Sequence, residues 1–105
     1  MKEETIGSIP YPTPEGAFTL RYDLLSDSRS GAYGIRVVKY DAADRPCEQA
    51  DVFPLPGGRA GVLRLLRRLI KGSVPPCTLR EVLEDLTAWD PAEPGSSGAN
   101  GSPVL

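Results

Sequence analysis

At 105 residues the chain has room for one domain, and its 40% hydrophobic and 25% charged residues suit a globular protein with one small core. The absence of histidine removes the commonest general base, the Ser-His and Cys-His nucleophile systems and the usual zinc sites, so most hydrolase chemistry is excluded. The net charge of −2 hides a polarity along the chain: Arg59 to Lys71 carries five positive and no negative residues, Glu81 to Glu93 five negative and no positive ones.

In chain order, Met1 to Gly16 alternates Pro10, Pro12 and Pro14 with Ile9, Tyr11 and Thr13, which defeats a helix and suits extended polyproline-like chain; the expectation is a loose arm. From Phe18 the pattern turns to period two. Phe18, Leu20, Tyr22 and Leu24 alternate with Thr19, Arg21 and Asp23, the signature of a half-buried strand. After turn residues Ser26 to Gly31, Tyr33, Ile35 and Val37 alternate with Gly34, Arg36 and Val38, and the two runs should pair as a hairpin. Asp41 to Pro46 reads as a second loop, and Glu48 to Phe53, bounded by Pro54 and Pro56, as a short third strand at an edge.

Gly57-Gly58 opens the longest periodic segment. At about 100° per residue, Val62, Leu63, Leu65, Leu66, Leu69 and Ile70 lie on one side of a helix and Arg64, Arg67, Arg68 and Lys71 form a narrow stripe on the other. Gly72 should end this helix. Thr78-Leu79-Arg80-Glu81 has the form of a capping box, followed by Leu79, Val82, Leu83, Leu86 and Trp89 at helical spacing, with Glu81, Glu84 and Asp85 pointing away. Asp90-Pro91 stops that helix, and residues 90–105, rich in Gly, Ser and Pro, bury too little apolar surface to be ordered. The fold class is therefore α+β: a three-stranded antiparallel meander in one domain, Ala17 to Trp89, packed in two layers against two C-terminal amphipathic helices. At about 70 residues, this domain has little surface to bury, and a dimer would help it.

Two segments, Tyr33-Gly34-Ile35-Arg36-Val37 and Val74 to Leu86 (VPPCTLREVLEDL), together with the strand from Leu20 to Leu25, resemble a family of small uncharacterised bacterial proteins. That family has a Tyr-Gly-Ile strand and a C-terminal Val-Glu-Asp-Phe-Leu helix. The chain departs from it with Thr78 where the family often has His, and with Leu86 in place of Phe. The resemblance implies the fold over Leu20 to Trp89 and no activity.

Chemistry-bearing residues are few. Cys47 and Cys77 are too few for a disulfide scaffold and read as reduced thiols; Cys77, before the cap, suits a small apolar staple against Val82. Glu81, Glu84 and Asp85, at i, i+3 and i+4, read as a solvated helix face ahead of a metal site. Gly58-Arg59-Ala60-Gly61 matches the GxxG form that clamps phosphates in some RNA-binding domains, but no other part of that domain is present. No cofactor and no metal are called for. No stretch approaches the ~20 apolar residues of a membrane span, and the start lacks a signal-peptide core, so no membrane is expected and the location is expected to be cytoplasmic.

The stripe Arg64, Arg67, Arg68 and Lys71 is the best partner-binding candidate, because four cations on two turns repel one another unless counter-charges lie nearby. It reads as a solvated face, as the seat of an acidic protein partner or of self-association, or as a nucleic-acid contact. The acidity of the rest of the chain ranks nucleic acid below an acidic partner. The expectation is a small non-enzymatic interaction or regulatory module acting through its helical layer, with a small nucleic-acid-binding regulator using helix 59–71 as the alternative.

Overall fold

The computed structural model describes residues 1–88. Four strands, β1 (Lys2–Thr13), β2 (Gly16–Asp27), β3 (Ala32–Tyr40) and β4 (Pro46–Leu55), form one antiparallel sheet in the order β1-β2-β3-β4. Helix α1 (Gly58–Lys71), a 3₁₀ turn (Pro76–Thr78) and α2 (Leu79–Ala88) follow. The α+β class, the β2–β3 hairpin and the edge position of β4 agree with the sequence reading.

The loose arm does not. Lys2–Thr13 is a strand along almost its whole length, with Ile9 opposite Leu20 and Tyr11 opposite Phe18, so the sheet has four strands rather than three and the domain begins at its first residues. The physical reason is position. Ile9 and Tyr11 point in one phase and Pro10 and Pro12 in the other, and an edge strand tolerates residues that cannot donate a ladder hydrogen bond. The expected disordered tail, 90–105, and the apolar role of Trp89 lie outside the described residues.

One sheet face builds the core. Leu20, Tyr22 and Leu24 of β2 alternate inward, and the register sets Tyr22 opposite Val37, Leu24 opposite Ile35, and Val52 and Ala50 of β4 beside those partners. Val62, Leu66 and Leu69 of α1, Val74 of the connection, and Leu79 and Leu83 of α2 close over them. Each fully buried aliphatic side chain contributes about 1.5–3 kcal/mol relative to exposure. The Tyr22 hydroxyl, wholly buried, donates to the Val74 carbonyl at 2.9 Å and so pins β2 to the chain leaving α1.

The two helices do not cover the sheet as an even pair. α1 lies across β1, β2 and β3, whereas the next segment reaches β4 and β3 through the 3₁₀ turn and its buried Pro76. The capping box does not form either. Pro76 starts a helical turn two residues before Thr78, which therefore sits inside that turn; its hydroxyl donates to the Pro75 carbonyl (3.5 Å) and caps nothing downstream. Cys77 is exposed rather than a buried staple.

The glycine of the Tyr-Gly-Ile run has a physical cause. A Cβ on Gly34 would stand 2.5 Å from the Val52 carbonyl oxygen and 2.6 Å from the Phe53 ring, because the β3–β4 register shifts beside it and lays β4 over that position.

Candidate functional site

The basic stripe sits on a helix whose ends are set by backbone rather than side-chain caps. Gly57 (φ 101°) and Gly58 (φ 66°) adopt left-handed backbone that other residues avoid, and the Gly61 N–H donates to the Gly57 carbonyl. Gly58 to Gly61 is thus the first turn of α1, not a loop, and Arg59 is engaged by Glu4 of β1 at 3.1 Å. Both facts remove the phosphate-clamp expectation. At the other end the N–H groups of Gly72, Ser73 and Val74 donate to the carbonyls of Arg68, Ile70 and Leu69, with Ser73 in the left-handed region (φ 52°). Arg68 and Lys71 occupy this last turn, where the helix dipole favours cations.

Between these ends Val62, Leu66 and Leu69 face the sheet, and helical geometry sends Arg64, Arg67, Arg68 and Lys71 to the opposite side within an arc of about 100°. All four are exposed, and none of their side chains makes an ion pair with a described residue. On α2, Leu79 and Leu83 are buried, and Glu81, Glu84 and Asp85 are exposed on the far side, with exposed Arg80 at its edge. Since both helices seat their apolar sides in the same core, the basic and the acidic strips both face away from it.

The opposite side of the sheet treats charge differently. Arg36 Nε and the second terminal nitrogen each donate to one oxygen of Asp51 at 2.9 Å, and its remaining terminal nitrogen donates to Glu3. Arg36 lies on β3, Asp51 on β4 and Glu3 on β1, so the guanidinium spans β2 and ties the two edge strands together. Leu25, in the same outward phase of β2 as Asp23, is 1% exposed. The Arg36 guanidinium holds the Asp51 carboxyl below the ordinary range, outweighing partial desolvation, and Arg36 itself is pushed upward by the same pair.

Beside this clamp Asp23, 1% exposed, accepts from the Thr5 hydroxyl (2.9 Å) and is ion-paired with Arg21 (3.2 Å), whose guanidinium stacks 5.1 Å over the Tyr40 ring. Arg21 Nε is buried with no acceptor. A shallow cavity of about 270 Å³ opens here, lined by Ser8, Thr19, Arg21, Tyr40 and Asp44. The sequence reading missed both networks. Their signal was the outward phase of the strands, Arg21 and Asp23 in β2 and Arg36 in β3, but Glu3 and Thr5 gained meaning only once β1 was a strand.

No three His, Cys, Asp or Glu side chains among the described residues lie close enough together to hold a metal ion. No helix among the described residues is long and apolar enough to cross a membrane. Compared with known protein families, residues 11–88 match one family model, which takes in the chain from mid-β1 to the end of α2. The chain belongs to that family of unknown function, DUF6514. The DUF6514 match includes the basic stripe, the acids of α2 and the Arg36–Asp51 pair, and begins after Glu3, Glu4 and Thr5. Neither the curated proteins nor the solved structures give a match.

Proposed function

We propose that this DUF6514 protein is a small non-enzymatic interaction or regulatory module of the bacterial cytoplasm, and that Arg64, Arg67, Arg68 and Lys71 seat an acidic protein surface on its helical layer. The observation that carries the reading is the contrast among its cations. Arg21, Arg36, Arg45 and Arg59 are each held by a carboxylate, whereas the four clustered on the outer side of α1 have none among the described residues. Four like charges on two turns cost a few tenths of a kcal/mol per pair, a cost that an acidic surface brought to them offsets.

Fluorescence anisotropy with a labelled polyglutamate peptide and with a labelled single-stranded oligonucleotide tests this. The peptide should bind, and replacement of all four residues by Gln should abolish that binding while leaving the far-UV circular dichroism unchanged. Binding of the oligonucleotide alone, with log K falling by about 0.7 per phosphate neutralised for each tenfold rise in salt and flattened by the same replacement, favours the nucleic-acid reading instead.

A further inference from the structure

The acidic surface that best fits the stripe is on the chain itself. We infer that two copies pair face to face through their helical layers, the α1 stripe of each against Glu81 and Asp85 on α2 of the other; this rests on the reading of the stripe given above and names its partner. Three observations lead to it. First, Glu81 and Asp85 are exposed and, like the four cations, make no ion pair with a described residue, so neither strip satisfies the other within one chain. Second, the buried residues of α1 and α2 belong to one core with the inward residues of the sheet, so the exposed strip of each helix faces away from that core. Third, the molecule is a plate, 48 × 37 Å across and 16 Å thick, so its broad helical side has room for the roughly 800 Å² per partner of a stable interface.

Strips of opposite sign that both face away from the core are self-complementary under a two-fold axis that lies in the interface and runs between them. Such an axis carries the acidic strip of one copy onto the basic strip of the other, and the reverse contact follows by symmetry. Turned the other way, with each strip over its like, the same surfaces repel. The charges therefore select one orientation, and pairing closes at two copies instead of propagating. A domain this small also has more to gain from association than a large one.

The decisive experiment is a charge swap read by sedimentation velocity at low and high salt, with circular dichroism confirming the fold of each variant. The wild type should sediment as a dimer at low salt and shift toward monomer as salt screens the contact. R67E/R68E should be monomeric, and so should E81K/D85K, because each sets like charges against each other in both halves of the interface. Association should weaken by at least about tenfold in each case. Mixed in equal amounts, the two variants should form a heterodimer, since both halves are then complementary. The chain carrying all four changes should dimerise again.

A wild type that is monomeric at low salt overturns the inference and leaves the acidic-partner reading to the polyglutamate measurement. A dimer that survives both charge reversals, or two folded variants that fail to recombine, places the interface elsewhere and overturns it too. If instead polyglutamate binding fails while the swap succeeds, the stripe serves self-association only.

Discussion

The two sides of the molecule handle charge in opposite ways. On the helix-free side of the sheet, cations and carboxylates alternate across strands and meet: Arg36 with Asp51 and Glu3, Arg21 with Asp23. On the outer side of the helices they are largely sorted by element, positive on α1 and, Arg80 apart, negative on α2, and the stripe makes no ion pair with a described residue. The first arrangement links both edge strands across a sheet face on which Leu25 and Val38 are buried. The second adds nothing of that kind to the fold. Charge on the sheet side is structural, and the stripe on α1 has no such role among the described residues.

Neighbouring residues on α1 give the largest expected contrast. Leu66 is wholly buried and Arg67 exposed, one position apart. Leu66→Asp should cost more than about 4 kcal/mol, because an unpaired carboxylate enters the core, and should abolish a cooperative urea transition. Arg67→Asp should leave the midpoint within about 0.5 kcal/mol of wild type. Comparable losses at both positions would mean that α1 is packed on its outer side as well.

On the other side the clamp is the point to break. Arg36→Ala removes a bidentate pair and a third contact to Glu3, and should lower stability by about 2 kcal/mol in urea unfolding. The sign of its pH dependence follows from Asp51. A carboxyl held below its unfolded value stabilises the fold above that value, about 3.9, and the contribution disappears as pH falls through the native value. Wild type should therefore lose stability below about pH 4, and Arg36→Ala should lose less. Some acid sensitivity should persist, because Asp27, held down by the Arg29 N–H and the Ser30 hydroxyl, and Asp41, held down by the Arg45 and Ala43 N–H groups, are also lowered. An unchanged acid limb would show that the clamp is not formed in solution.

Tyr22 supplies the complementary alkaline test. Burial, with a smaller contribution from Tyr11, pushes its phenol up to about 12, so the native state keeps it neutral while the unfolded chain ionises near 10. The stability this represents is complete below pH 10 and is lost between about pH 10 and 12. Tyr22→Phe should cost about 1–2 kcal/mol at neutral pH by leaving the Val74 carbonyl unpaired, and should flatten the fall above pH 10. A fall of equal steepness in the variant would assign the alkaline limb to other groups.

How far the sequence foretold this division depends on the kind of pattern each part carries. β2, β3 and α1 were legible because each has one buried side, which writes its period into the order of apolar residues. β1 was not. Its bulge between Thr5 and Gly7 breaks the alternation, and Pro10 and Pro12 suit an edge strand as well as a polyproline arm, so only pairing with β2 decides between them. The clamp disappeared from view with β1, since Glu3 has no role until it lies across β2 from Arg36. The capping box failed for a local reason: Pro76 begins the helical turn early, and Thr78 is already inside it. The stripe, in contrast, was readable residue by residue, because a helix places side chains by spacing alone. What meets it is a property of two surfaces, and a single chain order specifies only one.

The smallest expected effect sharpens the comparison most. Replacing Arg64, Arg67, Arg68 and Lys71 together by Gln keeps their length and much of their helix propensity while removing four charges. No carboxylate among the described residues is left unpaired by this, because none of the four is paired with one there. The relief of repulsion within the stripe, a few tenths of a kcal/mol per pair, should slightly outweigh the loss of Arg68 and Lys71 as favourable charges at the helix C-terminus. Measured at a protein concentration low enough to keep the wild type monomeric, urea unfolding should thus show a midpoint unchanged or marginally raised, an effect that fades as the charges are screened. One cation lost from the sheet side, at Arg36, should then cost more stability than four lost from α1. A loss above about 1 kcal/mol in the four-Gln variant would mean that the stripe is held within the chain after all, and the division between structural and free charge would fall.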